Sequence, residues 1–162
     1  MHRTRPSRRR FLGVAVLACL PLPGLAAEDP QRLPFEFDPA RDAGPDLEVA
    51  LRIARAAGRR VLVEVGGEWC SWCHIMGRFF AANPDLKHYR DTRYVWLKVN
   101  WSKENKNEVF LRRFPAIRDY PHLFVLDSGG RLLHSQDTQE LETTKNYDPA
   151  AMRAFLVKWA PT

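Results

Sequence analysis

Three short apolar runs stand out from the polar pattern of the chain, and each predicts a β-strand. They are Val61–Val65, Tyr94–Val99 and His122–Leu126. The first run is apolar at every position except Glu64, which is typical of a strand that is buried on both faces. A hairpin signal, Asp-Ser-Gly-Gly at residues 127–130, follows the third run. Residues 131–134 are therefore expected to return as an antiparallel fourth strand.

Four segments carry apolar residues at helical spacing and predict helices. They are residues 46–57, the segment around residues 75–80, residues 102–114, and a last helix that Asp148 caps with Pro149 at its first position. Two polar stretches lack such a period. Residues 83–93 predict a loop or a short helical turn, and residues 136–147 predict a loop.

The order of these elements is helix, strand, helix, strand, helix, strand, strand, helix. Strands that alternate with helices predict right-handed crossovers, so we expect the first three strands to be parallel neighbours. The hairpin then adds an antiparallel strand at the edge. The sequence therefore predicts an α/β fold in which helices cover both faces of a mixed central sheet.

The first 27 residues are typical of a cleaved export signal. A basic segment ends at Arg10, an apolar run covers residues 11–20, and small residues precede position 28. The run is about half the roughly 20 residues that a membrane-spanning helix needs, although an uncleaved anchor is the alternative. Residues 7–12, Ser-Arg-Arg-Arg-Phe-Leu, resemble the twin-arginine export motif. Residues 16–19, Val-Leu-Ala-Cys, resemble a lipoprotein cleavage box that would leave Cys19 lipidated. A bacterial periplasmic location is expected.

The net charge of +6 also belongs to this leader. Five arginines lie in the first ten positions, and without them 20 basic residues face 19 acidic ones. We therefore expect no nucleic-acid partner. Residues 28–45 show no period and predict an irregular arm. Residues 46–162 are long enough for one domain with its own core, which we expect to be monomeric.

Cleavage at this position leaves two cysteines, Cys70 and Cys73, where the first strand leads into a helix. Free amide groups and the helix dipole stabilise an anion at such a terminus, so Cys70 is expected to have a lowered pKa. Cys73 lies one helical turn away and can close a disulfide with Cys70. A two-residue spacing closes almost no loop, so the pair contributes little stability. It is better explained by redox chemistry, or as a metal or haem anchor.

The motif Trp-Cys-Ser-Trp-Cys-His at residues 69–74, placed after a buried strand and followed by Pro121 48 residues beyond Cys73, resembles the thioredoxin family. The resemblance covers residues 46–159 and is strongest to exported thioredoxin-like proteins. It implies a thioredoxin fold and a thiol–disulfide oxidoreductase. It also implies that Cys70 attacks, that Cys73 resolves, and that no cofactor is needed.

The resemblance assigns further roles around this pair. Glu64 is implied to be a buried acid that exchanges a proton with Cys73, with a solvent-facing acid as the alternative. Pro121 is implied to follow a cis peptide bond, which places Tyr120 beside the disulfide. We expect Trp69 to pack beside the site and Trp72 to form an exposed rim that touches substrate.

Protein thiols and disulfides are the expected substrates. The Ser71-Trp72 dipeptide lacks the histidine found inside oxidising motifs of the family. The sequence therefore favours a reductase or isomerase that receives its electrons from a membrane thiol reductase. Two alternatives stay open. Cys70, Cys73 and His74 satisfy the CxxCH motif of c-type haem attachment. The two cysteines with His74 or His122 could instead hold copper or zinc.

Overall fold

Four strands form one mixed sheet in the computed structural model, which describes Met1 and residues 33–162. The strands are β1 (Arg60–Gly66), β2 (Tyr94–Asn100), β3 (His122–Leu126) and β4 (Leu132–Asp137), in the spatial order β2-β1-β3-β4. The apolar runs therefore predicted the strands correctly. The leader beyond Met1, with its twin-arginine motif and Cys19, lies outside the described residues.

The direction of β3 differs from the prediction. β1 is parallel to β2, but β3 is antiparallel to β1, and β4 is antiparallel to β3. A parallel β3 would need a crossover that returns the chain to the opposite edge of the sheet. Residues 101–121 contain only a four-residue helix and stay at one edge. As a result, the ends of β1 and β2 and the start of β3 lie together at that edge.

Five helices and a short 3₁₀ turn surround the sheet. They are α1 (Ala43–Ala57), α2 (Ser71–Ala82), α3 (Pro84–Arg93), α4 (Glu108–Leu111), the 3₁₀ turn Thr138–Leu141, and α5 (Pro149–Lys158). The cap of α5 is as predicted, because the Asp148 carboxylate accepts hydrogen bonds from the N–H groups of Ala150 and Ala151 at 2.7 and 3.0 Å.

Three polar segments differ from their predictions. Residues 84–93 form a full helix whose apolar pattern is weak because Leu86 and Arg90 are its buried residues. Residues 102–114 are helical only at α4, since Asn107 before it has a left-handed φ of 49°. Residues 136–147 are more ordered than a loop: β4 extends to Asp137, the 3₁₀ turn follows, and Glu142 pairs with Tyr147.

The helices cover both faces of the sheet, as the sequence predicts. On one face, α1 packs against Val61, Val63 and Val65 of β1 and their neighbours on β2 and β3. On the other face, α2, α3 and α5 pack around Leu62 and the opposite sides of the same strands. Because β1 is buried on both faces, it holds the segment that follows it in a fixed position. Among the described residues, no helix is long and apolar enough to cross a membrane.

Candidate active site

Cys70 and Cys73 form a disulfide where β1 leads into α2. Their Cα atoms are 5.3 Å apart. Cys70 is the N-cap residue of α2, and its Sγ accepts a hydrogen bond from the Cys73 backbone N–H at 3.1 Å. Both residues are almost fully buried, with 3% of Cys70 and 1% of Cys73 exposed. The pair therefore lies at the helix terminus that the sequence predicts, under a cover of neighbouring side chains.

Two glycines at the end of β1 allow other segments to pack closely against the backbone there. A Cβ atom at Gly66 would collide with Cys73 Sγ and would lie 3.1 Å from Phe37 Cζ. A Cβ atom at Gly67 would lie 2.9 Å from the Trp101 carbonyl oxygen. These contacts leave no room for a side chain at either position, so Cys73, Phe37 and the loop after β2 pack directly against the backbone of residues 66–67.

Glu64 is fully buried on β1, as the resemblance implies. Residues two apart on a strand share a face, about 6.6 Å apart, so Glu64 lies beside Gly66 and the Cys73 sulfur that Gly66 contacts. Both carboxyl oxygens lack a hydrogen-bond partner among the residues that the structure describes. Burial raises the pKa of Glu64 to about 7, although Lys98 and Arg90 oppose the change.

Lys98 and Arg90 supply positive charge near Glu64 from two different elements. Lys98 is the direct neighbour of Glu64 in the parallel register of β1 and β2. Arg90 lies on α3, where its guanidinium covers the rings of Phe80 and Trp96 at 4.3 and 3.6 Å from their centroids. Because Arg90 also donates two hydrogen bonds to Asp91, much of its charge is balanced away from Glu64.

The peptide bond between Tyr120 and Pro121 is cis, as the resemblance implies. Tyr120 packs against the cluster formed by Cys70, Cys73 and Phe37. Behind it, the Thr138 hydroxyl donates a hydrogen bond of 2.7 Å to the Pro121 carbonyl oxygen. The loop before β3 therefore presents Tyr120 to the disulfide.

One of the two tryptophans of the motif is more buried than predicted. Trp72, expected at the exposed rim, is half-buried, because its ring packs edge-on against Tyr147. Trp69 is the exposed one, at 55%. Its indole N–H donates to the Trp101 carbonyl oxygen at 2.7 Å, and its ring contacts the rings of Trp101 and Tyr120. We refer to Trp69, Trp101 and Tyr120 as the aromatic patch.

The histidines near the cysteines have partners of their own. His74 Nε2 lies 2.8 Å from the Glu68 carbonyl oxygen, and His122 Nε2 lies 2.8 Å from Ser135 Oγ. Burial lowers the pKa of His122. Within residues 33–162 and at Met1, no three His, Cys, Asp or Glu side chains are grouped to hold a metal ion. Both sulfurs that a haem would need are in the disulfide.

Three residues of the site were not found from the sequence. Phe37 lies in the arm, which shows no period, and Lys98 and Trp101 become neighbours of the site only through the pairing of β1 with β2. No local signal separates Phe37 from its neighbours: Leu33, Phe35 and Phe37 alternate with other residues, but Phe35 is 72% exposed, so the alternation does not mark one buried face.

A disulfide at the N-terminus of a helix that follows a central strand, opposite a cis-proline loop, defines a thioredoxin-like redox site. A family model described as thioredoxin-like matches residues 42–128. The chain belongs to this thioredoxin-like family, which confirms the resemblance. No curated protein sequence is significantly similar to the chain.

A solved structure with a TM-score above 0.5 shows the same fold. The chain resembles a disulphide isomerase from Xylella fastidiosa Temecula1 with a TM-score of 0.65 and 18% identity, covering 78% of this chain and 96% of that one. It also resembles a thioredoxin from Thermus thermophilus, with a TM-score of 0.49, 21% identity, and 67% and 79% of the two chains covered. The oxidised C-terminal domain of Neisseria meningitidis DsbD gives a TM-score of 0.48 at 17% identity, with 70% and 90% covered.

The raised pKa of Glu64 predicts a pH-dependent stability. The folded protein keeps the proton up to a pH of about 7, whereas the unfolded chain loses it near 4.5, so stability falls as pH rises between these values. E64Q removes this dependence. At each pH, the free energy of unfolding of the unaltered protein is subtracted from that of E64Q. This difference should increase by up to about 3 kcal/mol between pH 4.5 and pH 8.

Urea unfolding of the oxidised proteins at both pH values measures this difference. E48Q, an exposed substitution on α1, is the matched control and should show the same difference at both. A difference for E64Q that does not change with pH would contradict the prediction.

Proposed function

We propose that this protein is a thiol–disulfide oxidoreductase that acts on protein disulfides in the bacterial cell envelope, as a monomer, with Cys70 and Cys73 as its redox pair. In the reducing direction, the Cys70 thiolate attacks a substrate disulfide, forms a mixed disulfide and releases one substrate thiolate. Cys73 then loses its proton and attacks Cys70 Sγ. The second substrate thiolate leaves, and the enzyme becomes the Cys70–Cys73 disulfide.

The observation that carries this proposal is the position of Cys70 Sγ at the start of α2. It already accepts the Cys73 N–H hydrogen bond at 3.1 Å, and the helix dipole favours negative charge there. Both effects stabilise a thiolate on Cys70 more than on Cys73, which lies inside the first turn. The two cysteines are therefore suited to different roles, as attack and resolution require.

Glu64 is proposed as the proton acceptor for Cys73. A general base works best when its pKa is near the working pH, and burial gives Glu64 a pKa of about 7. This role is supported by the strand face that Glu64 shares with Gly66, because the Cys73 sulfur lies against the backbone at Gly66.

The aromatic patch is proposed as the substrate contact. Trp69 is the most exposed member, and its ring is held by Trp101 and Tyr120. Exposed aromatic rings give a large contact area at little cost in side-chain entropy. Trp72, half-buried against Tyr147, would contribute at the edge of this surface.

We further propose that the protein works as a reductase and that a membrane thiol reductase supplies its electrons. The support is the Ser71-Trp72 dipeptide, which lacks a histidine between the cysteines. The proposed envelope location rests on the export-like leader, residues 1–27.

Trapping tests the reaction and identifies the partners. C73S keeps the nucleophile but removes the resolving thiol, so mixed disulfides with Cys70 should accumulate, because the fast intramolecular step is lost. Non-reducing gels of envelope fractions, followed by mass spectrometry, should show reductant-sensitive complexes for C73S and none for C70S. Equal trapping by both variants, or by neither, would refute an oxidoreductase.

The proteins captured by C73S also test the direction of electron flow. A membrane thiol reductase among the captured proteins is expected for a reductase, and its absence beside captured substrates would contradict the proposed electron source.

Alkylation tests whether the two thiols differ in reactivity. In the reduced protein, Cys70 should react with limiting iodoacetamide before Cys73 and should titrate below the ordinary cysteine pKa of about 8.5. Peptide mass mapping over a range of pH gives both values. First labelling at Cys73 would reverse the assigned roles.

The role of Glu64 is tested by E64Q, which keeps the shape of the side chain but cannot accept a proton. Attack by Cys70 should proceed at the unaltered rate, whereas resolution by Cys73 at pH 7 should slow by roughly 10²- to 10⁴-fold, the usual contribution of a general base. Rapid-quench kinetics with a model disulfide separates the two steps. An unchanged resolution rate would exclude Glu64 as the proton acceptor.

A further inference from the structure

Phe37 of the N-terminal arm lies against the redox site, although this residue precedes the family-matched segment. Between residues 33 and 42 it is the one buried side chain, with 2% exposed, whereas Phe35 two positions earlier is 72% exposed. Its ring forms a single cluster with Cys70 and Cys73. The arm therefore places one apolar side chain against the disulfide.

The contacts of Phe37 locate its ring on the side of the resolving cysteine. Phe37 Cζ and Cys73 Sγ both face the space that a side chain at Gly66 would occupy. Lys98 Nζ lies 4.6 Å from the centroid of the same ring. Since Lys98 is the strand neighbour of Glu64, the ring spans from Cys73 to the charged group beside Glu64.

Hydrogen bonds hold the arm in this position. The Phe37 N–H donates to Glu68 Oε1 at 3.2 Å, and Glu68 lies two residues before Cys70. The Asn105 side-chain amide donates to the carbonyl oxygens of Pro39 and Arg41 at 3.0 and 2.9 Å. The arm is thus fixed on both sides of the redox site, at the segment before Cys70 and at the loop after β2.

We propose that Phe37 is a positioning residue of the redox site: its ring closes the open side of the compartment that Cys73 and Glu64 share and excludes water from it. The inference rests on the proposed function for its catalytic meaning. Glu64 supplies the proton-accepting group, and Phe37 maintains the dry surroundings that make the neutral carboxyl stable. Without the ring, water would reach the edge of β2 at Lys98 and solvate the Glu64 carboxylate.

The pKa of Glu64 also depends on the charged and polar groups that face it from the surrounding elements. They are Lys98 on β2, Arg90 on α3, His74 on α2, Trp96 on β2 and Tyr147 before α5. Of these groups, Lys98 also contacts the Phe37 ring, so a substitution at Phe37 frees its ammonium as well. The comparison is therefore repeated in a K98M background, where a lower pKa of Glu64 on loss of the Phe37 ring reports the loss of the apolar cover.

The test compares F37A with F35A, a matched substitution at the exposed phenylalanine of the same arm. Carbon-13 NMR of the Glu64 carboxyl in the disulfide form should show a pKa near 7 in the unaltered protein. In F37A this pKa should fall by about one unit or more toward the ordinary glutamate value. In the reduced form, Cys73 should be alkylated roughly tenfold faster in F37A, because its cover is removed. F35A should change neither quantity.

The proposal requires that both the Glu64 pKa and the Cys73 alkylation rate change in F37A. The proposal would be overturned if F37A were less stable but kept the Glu64 titration or the Cys73 alkylation rate of the unaltered protein. F37L provides a second variant if F37A does not fold, with smaller changes in the same direction. The Glu64 titration needs no substrate and no turnover. A failed trapping experiment with C73S would therefore refute the proposed function and leave the structural role of Phe37 to be decided separately.

Discussion

The contact between Cys73 Sγ and the backbone at Gly66 determines the geometry of the whole site. It requires β1 to end without a side chain, and Gly67 extends the same requirement to the Trp101 carbonyl oxygen. Because of these two glycines, four segments meet at one edge of the sheet: the end of β1, the first turn of α2, the loop after β2 and the N-terminal arm. A methyl group at Gly66 would force the sulfur or the Phe37 ring to move.

A buried acid between two cations would ordinarily be ionised, but Glu64 is not stabilised in that form. Arg90 is already engaged by Asp91, and the Lys98 ammonium lies against the Phe37 ring. Desolvation therefore outweighs both attractions, and the pKa of Glu64 rises to about 7. The unfavourable burial of this carboxyl reduces stability near neutral pH and in return gives a group that can take up or release a proton there.

The sequence predicts the local features well because they are encoded locally. The apolar runs mark the strands, Asp148 and Pro149 mark the start of α5, and the motif at residues 69–74 marks the cysteine pair. The features that it does not predict depend on distant segments. The antiparallel β3 follows from the short helix α4, and the exposures of Trp69 and Trp72 depend on Trp101 and Tyr147.

Segments outside the family-matched residues are also needed to cover the apolar surface of the sheet. The family-matched segment, residues 42–128, ends before β4 and α5 begin. Leu123 and Val125 of β3 are covered in part by Met152, Phe155 and Leu156 of α5. A fragment limited to the matched segment would expose this face of the sheet and leave β3 with an unpaired edge. The apolar cover of the sheet and of the cysteine pair therefore requires residues on both sides of the matched segment, from Phe37 of the arm to the last helix.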